Sequence, residues 1–269
     1  MKKLILLFLA LGLLAWQGCK RCDDPTNPEC RNYDPCYELT EVSADFEMRE
    51  YIGRSGDIVW DLSVTTGKVL NRNALVLTGL DSGDVSHQWI IGTDPRVRSG
   101  IKEVVTFGGF TGAIEITHIV SGNPRQNCFP DDDGVDTVTK VVEIVSFEES
   151  MPYFGTYEGV NLHQPRHPFS IEIYYVESNM YGYPDMAVKN LPSGCDSLLN
   201  HDLAANGFFV LGGGWPDFKT CWGLHAGLAQ ISANADTLVI HYRYDDPDSL
   251  ALDPPRYVTK ESVFIGYRQ

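Results

Sequence analysis

Four aspartates in the segment PDDDGVD could supply the hard oxygen ligands that calcium prefers. They are Asp131, Asp132, Asp133 and Asp136, grouped around Gly134. Their spacing is not the D-x-D-x-D-G of an EF-hand loop, and an Asp-Gly pair is typical of a hairpin turn between two strands. The sequence therefore predicts a solvated turn here, with a calcium site as the alternative.

Two histidines and the possible nucleophiles give no catalytic motif. His163 and His167 are four residues apart, as zinc ligands on a helix would be, but Pro165 and Pro168 prevent that helix. The sequence contains neither H-E-x-x-H nor G-x-S-x-G. A carboxylate pair for glycoside hydrolysis cannot be chosen among 36 acidic residues, because such a pair is defined by its spacing in the fold.

Aromatic residues in the C-terminal half are the remaining candidates for ligand contact. Tyr181, Tyr183 and Trp215 lie among glycines and prolines, where exposed rings could stack on sugars or peptides. The alternative is that these rings fill a β-rich core. We expect the core position for Trp222, which follows Cys221.

Residues 1–18 have the parts of an export signal. Lys2 and Lys3 precede an apolar run, Leu4–Trp16, whose 13 residues are too few for a membrane span of about 20. Gly18-Cys19 resembles the lipobox of bacterial lipoproteins, which implies a lipidated Cys19 as membrane anchor. The charged segment that follows resembles the surface-export signal of Bacteroidetes-type lipoproteins, which implies an outer-membrane protein at the cell surface.

The charge balance excludes nucleic acid as a partner. The chain has 21 Lys and Arg against 36 Asp and Glu, and removal of residues 1–18 changes the net charge from −15 to −17. Phosphate binding needs clustered cations, which this composition lacks. Divalent cations or cationic partners are the only ligands that the acidity suggests. An apolar content of 43% is sufficient for packed cores.

Six cysteines remain if Cys19 is lipidated, and an even number in an exported protein indicates disulfides. They are Cys22, Cys30, Cys36, Cys128, Cys195 and Cys221. Prolines in residues 19–40 predict an extended stalk, closed locally by Cys30–Cys36 or Cys22–Cys30. Cys195 and Cys221 fall in one predicted domain, and we expect them to pair. Cys19-x-x-Cys22 has no second cysteine pair with which to form a zinc site.

Residues 41–146 alternate apolar and polar residues, with turns every 8–12 positions, as in an antiparallel sandwich. The order SADFEM, HQWIIGTD, GAIEITHIV and DTVTKVVEIV resembles the polycystic-kidney-disease-type (PKD) domain, which is immunoglobulin-like. The resemblance implies that Trp89 is a core residue, that Gly92 is a turn residue and that Gly112 begins the penultimate strand. It also implies a spacing or interaction module rather than a catalyst.

Residues 147–269 predict a second antiparallel β domain, either a barrel or a sandwich. Its seven strand candidates are YFGTYEG, FSIEIYYVE, MAVKNLP, GFFVLGGGW, CWGLHAGLAQIS, TLVIHYRYDD and SVFIGYR. The G-T-Y-x-G opening is similar to lipocalin-like (calycin) barrels. The fold class expected for the whole chain is therefore all-β.

From these features we expect a surface lipoprotein that binds a glycan or a protein through its second domain and is not an enzyme. The first alternative is an extracellular hydrolase of polysaccharide or peptide. The second is a structural component of the cell envelope or of adhesion. No cofactor is expected apart from the calcium alternative.

Overall fold

The computed structural model describes residues 23–52, 63–177, 185–191, 198–200, 203–212, 224–245 and 258–269. Within these ranges the chain forms seventeen strands, in three sheets, and one short 3-10 helix, so the all-β prediction is confirmed. No helix in these ranges is long and apolar enough to cross a membrane.

The first sheet has four antiparallel strands in the order β2-β1-β4-β7. These are β1 (Phe46–Tyr51), β2 (Ser63–Thr65), β4 (Ala74–Gly79) and β7 (Lys102–Thr106). The second sheet has five strands in the order β3-β9-β8-β5-β6, with β3 parallel to β9. These are β3 (Lys68–Leu70), β5 (Val85–Ile91), β6 (Arg98–Ser99), β8 (Gly112–Gly122) and β9 (Val135–Val145).

The two sheets pack face to face through the inward residues of their alternating strands. Phe46 and Leu77 of the first sheet meet Trp89, Ile116 and Ile144 of the second in one buried cluster. Trp89 is fully buried, as predicted, and its indole nitrogen donates to the Gly100 carbonyl oxygen at 2.7 Å. The sandwich is therefore held by an aromatic core whose tryptophan has its polar atom satisfied.

The third sheet follows the 3-10 helix Phe147–Tyr153 and has the order β13-β12-β11-β10-β17-β16-β15-β14. Its strands are β10 (Gly155–Asn161), β11 (Gln164–Val176), β12 (Asp185–Lys189), β13 (Leu198–Asn200), β14 (Phe208–Gly212), β15 (Leu224–Ile231), β16 (Thr237–Asp245) and β17 (Thr259–Arg268). The seven predicted strands all form, and β13 is an additional one. Each strand pairs with its neighbours in the chain, except that β13 and β14 do not pair with each other. β10 pairs with β17 instead, so β13 and β14 form the two edges of the sheet.

One apolar cluster joins the third sheet to the sandwich. Tyr157, Ile173 and Phe264 of the third sheet pack with Leu70 and Val145 of the sandwich. β3 makes this possible because Val69 points into the sandwich core and Leu70 into the other core. We call this side of the sandwich the junction end. The far end is the opposite end of β8 and β9, formed by the loop 123–134 between them.

The segment before the sandwich is bonded to the far end. Residues 23–40 form consecutive turns, which differs from the extended stalk expected from their prolines. Cys36 forms a disulfide with Cys128 in the loop 123–134, and Arg125 donates to the Thr40 carbonyl oxygen. The Cys30–Cys36 alternative is therefore wrong, because a turn places Cys36 beside the loop. Cys30 is also disulfide-bonded.

Candidate functional site at the junction

A cavity of about 500 Å³ lies at the junction end, between the sandwich and the third sheet. Three short segments form most of its wall: the turn between β2 and β3, the 3-10 helix, and the turn before β14. The lining residues are Thr65, Thr66, Gly67, Lys68, Val145, Glu149, Ser150, Tyr153, Ala205, Asn206 and Ala233. These residues present hydroxyl, amide and charged groups together with apolar surface, so the cavity is suited to a ligand that has both polar and apolar faces.

Ser150 is the buried polar group of the wall. It lies on the 3-10 helix, is 2% exposed, and its Oγ has no hydrogen-bond partner among the described residues. A buried hydroxyl without a partner is destabilising, by about 1–3 kcal/mol. Ser150 Oγ is itself shielded from solvent, so it is an unpaired group behind the cavity wall rather than a surface that a ligand contacts directly.

Tyr153 ties the 3-10 helix to the opposite wall. Its hydroxyl donates to the Ala205 carbonyl oxygen at 3.1 Å, and its own carbonyl oxygen accepts from the Tyr157 hydroxyl at 2.9 Å. Burial raises the pKa of Tyr153, with the negative charge of Glu50 adding to the effect and Lys68 opposing it. The phenol is therefore neutral at physiological pH and acts as a fixed donor.

Lys68, at the opening of the cavity, is exposed and forms an ion pair with Glu143. Lys68 Nζ lies 2.9 Å from Glu143 Oε2, and both side chains are about half exposed. The hydrogen bond to Glu143 raises the pKa of Lys68. Because such exposed pairs contribute little to stability, this one serves mainly to orient Lys68 beside the cavity.

A buried carboxylate lies directly behind the wall. Glu50 is on β1 and fully buried; Oε1 accepts from Leu70 N at 2.8 Å and from Asn73 Nδ2 at 2.7 Å. Its Oε2 accepts from the backbone N–H of Ala205 at 2.8 Å. The same Asn73 amide also donates to the Leu203 carbonyl oxygen at 2.8 Å. Glu50 thus connects the sandwich core to the turn that lines the cavity.

The predicted aspartates lie elsewhere, at the far end, and their oxygens accept from backbone amides. Asp132 accepts from Arg125 N and Gly134 N at 2.9 and 2.8 Å, and these bonds lower its pKa. Asp133 accepts from Val135 N, and Asp136 from Ala44 N. No group of three or more His, Cys, Asp or Glu in the described ranges is arranged to hold a metal ion. Asp131, the remaining member, is exposed.

Several predicted site residues lie outside the described residues, namely Cys19, Cys22, Tyr181, Tyr183, Cys195, Trp215, Cys221 and Trp222. The expected lipidation, the Cys195–Cys221 pair and the aromatic contacts therefore stay predictions. His163 and His167 are exposed and separate from the cavity.

Sequence reasoning missed the cavity and Glu50. One signal was present: the alternation that turns Phe46 inward places Glu50, four residues later, on the same buried face of β1. An acidic residue at an inward position indicates a special role, because buried charges need partners. Ser150 and Ala205 carry no such signal, since only the fold brings residues so distant in sequence together.

Comparison with known proteins gives no further guidance, because no family, no curated protein and no solved structure matches the chain.

Proposed function

We propose that the protein is a membrane-anchored, surface-exposed lipoprotein that binds a glycan in the junction cavity without chemical turnover. The observation that carries this proposal is the cavity of about 500 Å³, whose wall presents hydroxyl and amide groups together with apolar surface. Ligand sites are typically concave and of several hundred Å³, with a few fixed polar groups. Hydroxyl and amide groups on the walls, with the ring of Tyr153, match the hydroxyls and apolar face of a sugar.

The same residues argue against the hydrolase alternative. An activated serine nucleophile is hydrogen-bonded to a general base, whereas Ser150 Oγ has no partner among the described residues. Glycoside hydrolysis usually needs two carboxylates, and Glu149 is the single acidic residue among those that line the cavity. Binding without turnover is the simpler use of this wall.

The architecture supports a spacer role for the sandwich. Cys36–Cys128 fixes the N-terminal segment at the far end, while Val145, at the other end of β9, lines the cavity. The eleven residues of β9 extend over roughly 34 Å. With Cys19 lipidated, the sandwich would hold the cavity about that far from the membrane.

The finer fold assignments belong to the same proposal. The sandwich would be PKD-like, supported by the buried Trp89, by Gly92 at φ +52° and by Gly112 as the first residue of β8. The third sheet would be a calycin-like barrel rather than a sandwich. The support is that its eight strands follow an up-and-down order, in which the first strand, β10, pairs with the last, β17.

A glycan array followed by calorimetry tests the binding proposal. We expect binding without release of products, and loss of binding in Gly67→Trp. Gly67 lines the cavity, and a Cβ there meets nothing within 4 Å, so the large side chain narrows the mouth without disturbing the fold. The control Thr139→Trp lies on the exposed face of β9 and should bind normally. Hydrolysis of a glycan would overturn the proposal, and absence of both binding and hydrolysis would leave a structural role.

Mass spectrometry of the mature N-terminus tests the anchor. We expect the chain to begin at Cys19 with acyl chains attached. An unmodified Cys19 would contradict the lipoprotein proposal without affecting the binding proposal.

A further inference from the structure

The bonds of Glu50 are divided unequally between its two oxygens. Oε1 accepts from two donors, one on the backbone and one on Asn73, and both belong to the sandwich. Oε2 accepts from Ala205 N, which belongs to the cavity wall. Ala205 is therefore the one partner that is affected if Oε2 is protonated and Oε1 is not.

Protonation of this carboxyl would affect the wall first. A proton on Oε1 would disrupt two hydrogen bonds, whereas a proton on Oε2 would disrupt one. The N–H of Ala205 is a donor only, and a protonated Oε2 keeps only weak acceptor capacity, so the hydrogen bond between the two groups is weakened. The Ala205–Asn206 turn would then be held to the sandwich less tightly, through the remaining hydrogen bond from Asn73 Nδ2 to the Leu203 carbonyl oxygen.

We propose that Glu50 is a positioning residue which, when ionised, holds the Ala205–Asn206 turn in place as a wall of the cavity, and which releases that turn when protonated. Acidification should therefore weaken ligand binding at the cavity. This second statement rests on the proposed function, whereas the release of the turn does not.

The surroundings place this change near neutral pH. Burial raises the pKa of Glu50 to about 7, against the opposing effects of its three N–H donors and of the Arg72 charge. Arg72 lies over the Phe147 ring and 3.9 Å from the buried carboxylate of Asp185. Its charge therefore acts on Asp185 as well as on Glu50. On the cavity side the facing titratable group is Tyr153, whose neutral hydroxyl holds the Ala205 carbonyl oxygen.

The turn has other bonds that keep it folded after release. Ala204 N donates to the Phe208 carbonyl oxygen at 2.7 Å, and Gly207 N donates to the Ala204 carbonyl oxygen at 3.0 Å. Release is therefore a local movement of the wall and not an unfolding of the third sheet.

Hydrogen exchange at the Ala205 amide tests the proposal on the full chain without a ligand. We expect its protection factor to fall about tenfold between pH 8 and pH 5.5, which corresponds to the loss of one hydrogen bond to a charged group. Glu50→Gln should show the low protection at both pH values, because its amide NH₂ cannot accept from Ala205 N. The matched control Glu47→Gln, on the same strand but exposed, should behave as the natural protein.

Two results would overturn the proposal: equal protection of Ala205 at both pH values in the natural protein, or a persistent pH dependence in Glu50→Gln. The first measurement needs no variant, so it remains decisive if Glu50→Gln fails to fold. Tyr153→Phe should lower the protection at both pH values but keep its pH dependence. If no glycan binds at all, the proposed function fails while the exchange result still stands.

Discussion

The far end and the junction end of the sandwich are both tightly held, but by different chemistry. At the far end, a disulfide joins Cys36 to Cys128, and each carboxylate oxygen of Asp132 accepts a hydrogen bond from a backbone amide of the same loop. At the junction end, the buried Glu50 accepts hydrogen bonds from segments 20 and 155 residues away in sequence. The disulfide at the far end does not depend on pH in this range, whereas the charge of a buried carboxylate does. The far end is therefore fixed, and the junction end is adjustable.

Removal of the disulfide should have the largest effect on stability. The pair closes a loop with a sequence separation of 92, and loss of such a bond costs about 4 kcal/mol of unfolding free energy. Urea unfolding of the double variant Cys36→Ala/Cys128→Ala should show this loss equally at pH 5.5 and pH 8. A loss that changed with pH would remove the contrast between the two ends.

Glu50→Leu should be the next most damaging change, with a loss of about 3 kcal/mol at pH 8, because three N–H donors are left buried without an acceptor. The matched variant is Glu47→Leu on the exposed face of β1, for which we expect almost no change. Chemical denaturation of both proteins gives the comparison. Equal stabilities would show that the Glu50 bonds are not important at the junction.

The pH dependence of stability should carry the signature of Glu50. The unfolded carboxyl ionises near 4.5 and the folded one near 7, so the folded state holds an extra proton between these values. The contribution of Glu50 to stability is therefore complete below pH 4.5 and is lost as pH rises through 7, by about 3 kcal/mol. The free energy of unfolding is measured against pH for Glu50→Gln and for the natural protein. The difference between the two curves gives the contribution of the Glu50 carboxyl. A flat difference between pH 4 and 8 would contradict it.

His118, in the sandwich core, should show a smaller effect of opposite sign. Its Nδ1 donates to the Ala44 carbonyl oxygen at 2.7 Å, and its Nε2 lies 3.1 Å from His87 Nδ1. Burial lowers the pKa of His118, with the charge of His87 acting in the same direction. Because the unfolded ring takes up its proton first, the stability that the neutral ring provides is lost as pH falls below about 6.5.

His118→Phe keeps the ring stacked on Trp89 but removes both hydrogen bonds. We expect a loss of about 1 kcal/mol at pH 8, and a smaller loss at pH 5. His241→Phe, at an exposed position of β16, is the control. A larger loss at pH 5 than at pH 8 would mean that His118 is charged in the folded protein.

The strands were predictable because burial in a sheet has a period of two residues, which the sequence displays directly. The core position of Trp89 was implied by the resemblance to PKD domains. The aspartates of the far end were harder to interpret: their composition suits calcium, but backbone amides of the same loop compete for the same oxygens. The cavity was beyond prediction, since Lys68, Ser150 and Ala205 come from three separate segments. Glu50 could have been recognised as buried, but its partner Ala205 could not.

The position of β17 in the third sheet has a consequence for biogenesis. Residues 259–268 lie between β10 and β16, and among the described strands they alone join the half that contains β10–β13 to the half that contains β14–β16. The sheet cannot be completed until these residues have been synthesised. During translation, the preceding 100 residues or so therefore lack β17, the strand that pairs with both β10 and β16. Such a chain remains unfolded for longer, which is the state that a secretion channel requires. In the exported protein that we propose, late completion of the sheet would keep this domain unfolded until it has crossed the membrane.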